Sequence, residues 1–277
     1  MKFNGIKSER IKGKRVTQTG CKFAYTNVST VTLTPDGIDG TAQIVLSGTT
    51  ASAKSTIRSV TLTGSLICNL SSSGAGGIDT GTKATSKGYY VFVISKQNTA
   101  WTDPALLASL SETGPTMPET YVYRSAPIWF ISTDATGPAG DVRKFIETNG
   151  TCFYNETTQL LSSGTAYSGW TLVDASVLVP NNSRAFLHSF ARNKNTNDWN
   201  SIRVHFNDSD ATDGNYRTIQ HHNVIRHTNG APGSQYQWEH GFLNAAAGLY
   251  YKWGSNPGSG GSYPAQFHIW CRGWTLS

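Results

Sequence analysis

Aromatic residues are concentrated in the part of the chain that follows residue 236, and they are the most prominent candidates for a binding surface. Aromatic faces stack on sugar rings, while imidazole and guanidinium groups supply directional hydrogen bonds. The same side chains also suit a hydrophobic core or a contact between subunits. The segment therefore supports two hypotheses, a glycan-binding surface and a packing interface. Its candidate residues are Trp238, Tyr250, Tyr251, Trp253, His268, Trp270, Arg272 and Trp274.

The last of these aromatics lie in a segment that alternates like a β-strand, residues 266–274. Because successive strand residues point to opposite faces, the segment should divide into two sets. Both sets are partly apolar, which predicts a central strand or a strand at a subunit interface. One set contains Phe267, Ile269 and Cys271, and the other contains His268, Trp270, Arg272 and Trp274.

No catalytic motif is present in the sequence. The Walker pattern, the dinucleotide GxGxxG pattern and the GxSxG nucleophile elbow are all missing. The chain has 17 acidic residues, and none forms an evident pair of the kind that glycoside hydrolysis requires. Folding could still bring two carboxylates together, so this alternative stays open. We predict a non-enzymatic protein that has no catalytic residues and binds no cofactor.

Two segments have a superficial likeness to metal sites. The Asp-rich residues 207–215 lack the spacing of an EF-hand loop and suit a hairpin turn better. His221 and His222 are neighbours in a predicted strand, where they would point to opposite faces. We predict no metal site within the chain, although the histidines leave open a site shared between subunits.

The positive charge of the chain is concentrated at its N-terminus. The net charge is +6, and the first fifteen residues carry six cations against one anion, so they account for +5 and the rest for only +1. A nucleic-acid-binding fold spreads Lys and Arg over one face, so we predict no nucleic-acid partner. Residues 1–20 form a basic arm that either is solvated or docks on an acidic surface of a neighbouring subunit. The cations of this arm are Lys2, Lys7, Arg10, Lys12, Lys14 and Arg15.

The hydropathy of the chain indicates no association with a membrane. No apolar run approaches the ~20 residues of a membrane helix, and the basic N-terminus lacks the apolar run of a secretory signal. Cys21, Cys68, Cys152 and Cys271 are widely scattered and form no CxxC pair. We predict four buried free thiols, with a disulfide as the alternative.

Composition and alternation together predict an all-β fold. Aromatic residues make up 11% of the chain and charged residues 14%, and 28 glycines supply turns. The apolar run at residues 88–95 predicts a strand that is buried on both faces. Residues 101–114 allow either a strand or a short helix with Asp103 as its N-cap and Pro104 at its first position.

Two antiparallel β domains are predicted after the arm. Residues 21–168 form the first, and residues 169–277 form the second, a jelly roll or sandwich whose strands are separated by evenly spaced turns. All seven histidines lie between His188 and His268. This asymmetry supports a boundary near residue 170.

An aromatic strand, a proline-rich link and a tight turn follow one another at residues 88–95, 111–124 and 128–137. In this order they resemble a segment common in bacteriophage tail and fibre proteins. The chain departs from the family pattern in a shortened Tyr-to-Arg spacing, in bulky residues at 128–130 and in an extension after the turn. The matching residues are 89–94, the Pro-Thr-x-Pro link at 115–118, Tyr121, Arg124, Thr133, Asp134 and Gly137.

The resemblance implies a structural protein of the phage virion, as a tail-fibre, baseplate or capsid-decoration subunit. Its partners would be other virion structural proteins, and it would form a homo-oligomer, with a trimer favoured because phage fibres are commonly trimeric. The alternative function is host attachment, in which the aromatic C-terminal domain recognises host cell-surface polysaccharide.

The residues of this segment also predict its local structure. Pro115 and Pro118 fix φ and remove amide donors, so the link should stay extended. Asp134 should bond the backbone of its own turn, and Gly137 should adopt a positive φ.

Overall fold

The computed structural model describes residues 20–50, 57–96, 103–164, 171–181, 183–193, 200–206, 221–225, 233–242, 248–253 and 266–276. Of residues 191–193, 200–206, 221–225, 233–242, 252, 253, 266 and 276, only the backbone is described. The described residues form strands, turns and bends, with no helix among them, and the predicted all-β fold is confirmed. The described residues therefore include no helix that is long and apolar enough to cross a membrane.

The strands are β1 Cys21–Asn27, β2 Thr30–Pro35, β3 Ala42–Gly48, β4 Ile57–Leu62, β5 Leu66–Asn69, β6 Gly77–Ile78, β7 Gly88–Lys96, β8 Ala105–Ser109, β9 Tyr121–Arg124, β10 Trp129–Ser132, β11 Phe145–Thr148, β12 Thr151–Leu161, β13 Thr171–Asp174, β14 Ser183–Asn193, β15 Asn200–Phe206, β16 His221–Ile225, β17 Gly233–Phe242, β18 Gly248–Trp253 and β19 Gln266–Leu276.

These strands form four sheets. The first half of the chain contains a three-stranded sheet, β1-β2-β5, and a seven-stranded sheet in the order β4-β3-β9-β7-β8-β6, in which β10 also pairs with β7. The second half contains a five-stranded sheet, β11-β12-β19-β14-β17, and a four-stranded sheet, β13-β18-β15-β16. The pairing is antiparallel except between β6 and β8.

Sheet membership changes between β10 and β11, before the predicted domain boundary at residues 168 and 169. β11 and β12 precede that boundary but belong to the five-stranded sheet, where β12 pairs with the last strand, β19. The turn spacing along the sequence does not reveal this pairing, because it joins residues far apart in the chain. The division into domains at residues 168 and 169 stays a prediction.

The strand β7 organises the seven-stranded sheet. Its residues from Tyr89 to Ser95 are all buried, which confirms the predicted burial on both faces. β8 pairs with one edge, while β9 and β10 share the other. Ser125 bridges the gap between β9 and β10: its N–H donates to the Val93 carbonyl at 2.8 Å, and its hydroxyl accepts from the Val93 N–H at 3.0 Å.

The short helix that was an alternative for residues 101–114 does not form; residues 105–109 are the strand β8 instead. Leu106, Leu107 and Ala108 are all fully buried. They lie between β7 and β6, so backbone pairing on both sides satisfies their amide and carbonyl groups. Tertiary pairing therefore outweighs the local N-cap signal.

An aromatic junction joins the two halves of the chain. The ring of Trp129 on β10 lies 4.8 Å from that of Trp274 on β19, 4.9 Å from Phe23 on β1 and 5.6 Å from Phe145 on β11, between centroids. All four rings belong to one hydrophobic core. The halves therefore share apolar surface.

The cysteines are all free. Cys68, Cys152 and Cys271 are buried, whereas Cys21 is only partly buried, in contrast to the prediction of four buried thiols. Burial raises the pKa of Cys68 and of Cys271 to about 12, so both thiols stay protonated and unreactive near neutral pH.

Candidate functional site

The outer face of the five-stranded sheet carries half-buried aromatic and basic side chains. Along β14, buried and half-buried residues alternate from Ser183 to Phe190, as expected when one face of a strand covers a core. The inner residues are small or aliphatic. The outer residues are Arg184, Phe186, His188 and Phe190.

The neighbouring strand β19 continues this face. The register places His188 opposite Trp270 and Phe190 opposite His268, and directly opposed residues of antiparallel strands lie on the same face. These four residues form what we name the aromatic row. Their rings are all half-buried and lie on two hydrogen-bonded strands.

The rings of the aromatic row touch one another in sequence. The centroids of Phe190 and His268 are 5.8 Å apart, and those of His268 and Trp270 are 5.5 Å apart with the planes only 17° from parallel. Trp270 lies 5.7 Å from His188. These spacings are typical of favourable aromatic contacts, so the row is a continuous surface with its orientation fixed by mutual packing.

His268 is held as the neutral imidazole. Its Nδ1 lies 2.9 Å from the Gln159 side-chain nitrogen and 3.4 Å from the backbone N–H of Ser163. A backbone N–H can only donate, so Nδ1 accepts and the ring proton resides on Nε2. Burial lowers the pKa of His268 below its ordinary value, which also favours the neutral form.

The pKa of His188 is lowered as well. Burial and, to a smaller extent, the positive charge of Arg272 lower the pKa of His188. The Arg272 charge is therefore close to this end of the aromatic row. The outer face combines flat rings, two neutral imidazoles and a cation.

A phenylalanine pair extends the face beyond Arg272. The rings of Phe153 on β12 and Phe186 on β14 are 5.5 Å apart, and Phe153 is 42% exposed. Between these strands lies Gly273, which faces Phe153 on one side and Phe186 on the other in the register. A Cβ atom at Gly273 would overlap the carbonyl oxygen of Cys152, so the close approach of β12 and β19 requires glycine here.

The predicted alternation of the last strand is wrong at Trp274. The register of β14 against β19 shifts between Phe186 and Leu187, and a β-bulge of this kind adds one residue to one strand. The extra residue reverses the inside–outside order after Arg272. Trp274 is consequently 0% exposed and donates its indole N–H to the Tyr154 hydroxyl at 3.2 Å in the core.

The eight candidate residues therefore do not form one site. His268, Trp270 and Arg272 lie together on the outer face. Tyr251 is buried, with its ring 5.5 Å from Phe267, and cannot reach a ligand; Tyr250 is half-buried on β18 of the four-stranded sheet. The backbone of Trp238 pairs with His188, and the backbone of Trp253 pairs with Ile202. The side chains of these two tryptophans lie outside the described part of the structure.

Sequence reasoning missed the contribution of β14. Phe186, His188 and Phe190 supply half of the outer face, and their i, i+2, i+4 spacing was visible as an alternation with small and aliphatic residues. The same alternation that identified β19 would have found them. Their position beside His268 and Trp270, however, depends on a pairing between strands that are distant in the sequence.

Two predicted features lie outside the described residues. The first is the Asp-rich segment at residues 207–215. The second is the basic arm, with its cations Lys2, Lys7, Arg10, Lys12, Lys14 and Arg15. The described residues contain no cluster of three His, Cys, Asp or Glu side chains that could hold a metal ion.

The turn that follows β10 has the predicted local structure. Asp134 accepts hydrogen bonds from the Thr136 N–H at 2.9 Å and from the Asp141 N–H at 3.0 Å, and Gly137 has φ of 70°. The turn prediction is confirmed.

No family model matches the chain, and no curated protein matches it. Among solved structures, the chain is similar to one in the structure of infectious bursal disease virus, Gx strain, with 11% sequence identity over 94% of this chain and 73% of that chain and a TM-score of 0.21. A chain in the structure of the Gt strain of the same virus is also similar, with 11% identity over 94% of this chain and 71% of that chain and a TM-score of 0.19. Scores this low support no inference about fold or function.

Proposed function

We propose that the chain is a non-enzymatic structural subunit of a tailed-phage virion, in a tail fibre, baseplate or capsid decoration, and that it docks on neighbouring virion proteins. The observation that carries the proposal is the resemblance of residues 88–95, 111–124 and 128–137 to a segment of phage tail and fibre proteins. The polar groups of this segment hold its own backbone in place.

The proline-rich link is held at two residues, Thr113 and Thr116. The Asp79 carboxylate accepts hydrogen bonds from the Thr116 N–H at 2.9 Å and from the Ser109 hydroxyl at 2.8 Å. The Arg124 guanidinium donates to the Thr113 carbonyl at 2.7 Å. Together with the Asp134 turn, these contacts hold strands β8, β9 and β10 in a fixed relation, which supports a scaffold role.

The basic arm is proposed as the docking element. It holds most of the net charge of the chain, and oppositely charged surfaces steer and orient protein association. Residues after the arm would form the homo-oligomer, with a trimer as the expected state.

The arm is tested by incorporation into particles. One variant lacks residues 2–15, and a second replaces the six arm cations by Gln; a control carries Lys22→Gln and Lys144→Gln, two exposed cations of the body. We expect both arm variants to fold and oligomerise normally by light scattering but to be absent from purified particles, while the control is incorporated. Normal incorporation of the two arm variants would contradict the docking role.

A second candidate function is recognition of host surface glycans. The aromatic row favours it, because partly exposed, stacked rings with imidazole and guanidinium groups nearby suit the apolar face and hydroxyls of a sugar. The row is equally placed to pack against another protomer.

Glycan arrays with single-residue variants separate these two roles. We expect the wild-type protein to bind host surface polysaccharide and Trp270→Ala and His188→Ala to lose binding, whereas Leu172→Ala, which changes a 50% exposed residue on another sheet, retains it. If the wild type binds no glycan and Trp270→Ala instead dissociates the oligomer, the row is a packing surface.

A further inference from the structure

A cavity of about 490 Å³ lies beside the proline-rich link, far from the aromatic row in the sheet order. It is formed where the end of β3, the link and the end of β9 meet. Ser47 and Thr49 contribute hydroxyl-bearing residues to its wall, and Pro115, Met117 and Ala126 contribute apolar ones. Its volume falls within the roughly 300–1,000 Å³ of small-molecule sites.

One charged residue lines this cavity. Arg124 alone is charged among the described lining residues. Its guanidinium lies 5.5 Å from the centre of the Phe92 ring and donates to the carbonyls of Thr113 at 2.7 Å and Ser125 at 3.3 Å. These contacts fix the orientation of the guanidinium group.

The hydrogen-bonding capacity of Arg124 is only partly used. A guanidinium has five N–H donors, and two of them are engaged on the backbone. No carboxylate in the described part of the chain forms an ion pair with it. Burial partly removes this charge from water and thereby lowers the pKa of Arg124.

We propose that this cavity binds a small ligand that carries a single carboxylate, and that Arg124 receives the carboxylate. The planar fork of guanidinium matches the two oxygens of a carboxylate. A phosphate would bring a charge of about −1.5 to −2 to a site with one cation, so a carboxylate balances the site better. The hydroxyl-bearing and apolar walls suit the body of an acidic sugar or of an acidic side chain.

The binding test is calorimetric titration of the full-length protein. Glucuronate represents an acidic sugar, N-acetylaspartate amide represents an acidic side chain, and glucose is the uncharged control. We expect at least one carboxylate probe to bind about tenfold or more tightly than glucose, with an affinity that falls as salt is added. Which probe binds better identifies the source of the carboxylate. Failure of both probes to bind, or equal binding of glucose, would overturn the proposal.

Three variants locate the site. Arg124→Met should weaken carboxylate binding about tenfold or more, because it removes the charged donors. Ala126→Leu narrows the cavity and leaves the Arg124 hydrogen bonds in place, so it keeps the test decisive if Arg124→Met unfolds. Lys22→Gln removes one exposed cation on β1 and should bind like the wild type. Undiminished binding by the folded variants at Arg124 and Ala126 would place the carboxylate elsewhere and refute the site.

Discussion

His268 shows how single residues of the aromatic row are tuned by their surroundings. Two N–H groups, from Gln159 and Ser163, approach the same ring nitrogen. A protonated Nδ1 would point its hydrogen at the Ser163 N–H, which can only donate, so protonation breaks this contact. The stacked Trp270 ring covers one face of the imidazole and restricts its access to water.

We expect the folded protein to lose stability in mildly acidic solution. Burial lowers the pKa of His268 and His188 below the ordinary 6.5. The unfolded chain therefore binds protons at a higher pH than the folded chain does. The contribution of these histidines is complete above pH 6.5 and is lost as the pH falls through their folded pKa values.

Thermal melting at pH 8 and pH 5 checks this expectation. The Tm should be lower at pH 5, and the difference should shrink in His268→Gln, which cannot titrate. His188→Gln provides the matched comparison at the other end of the row. A Tm difference unchanged in both variants would assign the acid sensitivity to other groups.

At the scale of the element, β19 depends on one bulge and one glycine. The bulge lets the strand present Trp270 and Arg272 outward while Trp274 enters the core. Gly273 makes this possible because β12 approaches too closely for any side chain. The same strand thereby serves the outer face and the junction between the halves.

Gly273→Ala should destabilise the protein by about 1–3 kcal/mol, because the added methyl group forces β12 and β19 apart. Gly64→Ala is the control, since a Cβ atom there meets nothing within 4 Å, and its effect should stay within about 1 kcal/mol. Urea unfolding of both variants measures the difference. Equal stabilities would show that the two strands separate at little cost.

At the scale of the whole molecule, the aromatic junction decides how the halves interact. Trp129 and Trp274 come from opposite halves of the chain and are both in the core, and their rings are 4.8 Å apart. The Trp274 indole also fixes Tyr154, whose hydroxyl donates to the Leu178 carbonyl. Removal of this indole therefore leaves a cavity and an altered polar contact together.

Trp274→Ala should cost about 3–5 kcal/mol, and its effect should reach both halves. We expect faster amide hydrogen exchange in β10 as well as in β12. Trp270→Ala, at a half-buried site on the same strand, should have a smaller effect on unfolding and leave β10 protected. Exchange changes confined to the second half would show that the halves are energetically independent.

Local patterns were sufficient where one segment decides its own structure. The burial of β7 followed from its unbroken apolar run, and the Asp134 turn followed from residue types that bond their own backbone. The β8 strand was ambiguous, because its N-cap signal is local and its burial depends on β6 and β7. The sequence pattern identified only three residues of the outer face, namely His268, Trp270 and Arg272.

By itself, the sequence determined the all-β class, the positions of most strands and the concentration of aromatic residues near the C-terminus. These properties depend on composition and short-range periodicity. Only the tertiary structure decided which aromatics share a face, since pairing of β19 with β12 and β14 joins residues more than seventy positions apart. The bulge before Gly273 then sent Trp274 inward, and the packing of the link against β3 and β9 created the Arg124 cavity. Both outcomes depend on how closely distant strands approach, a property that alternation along one strand does not encode.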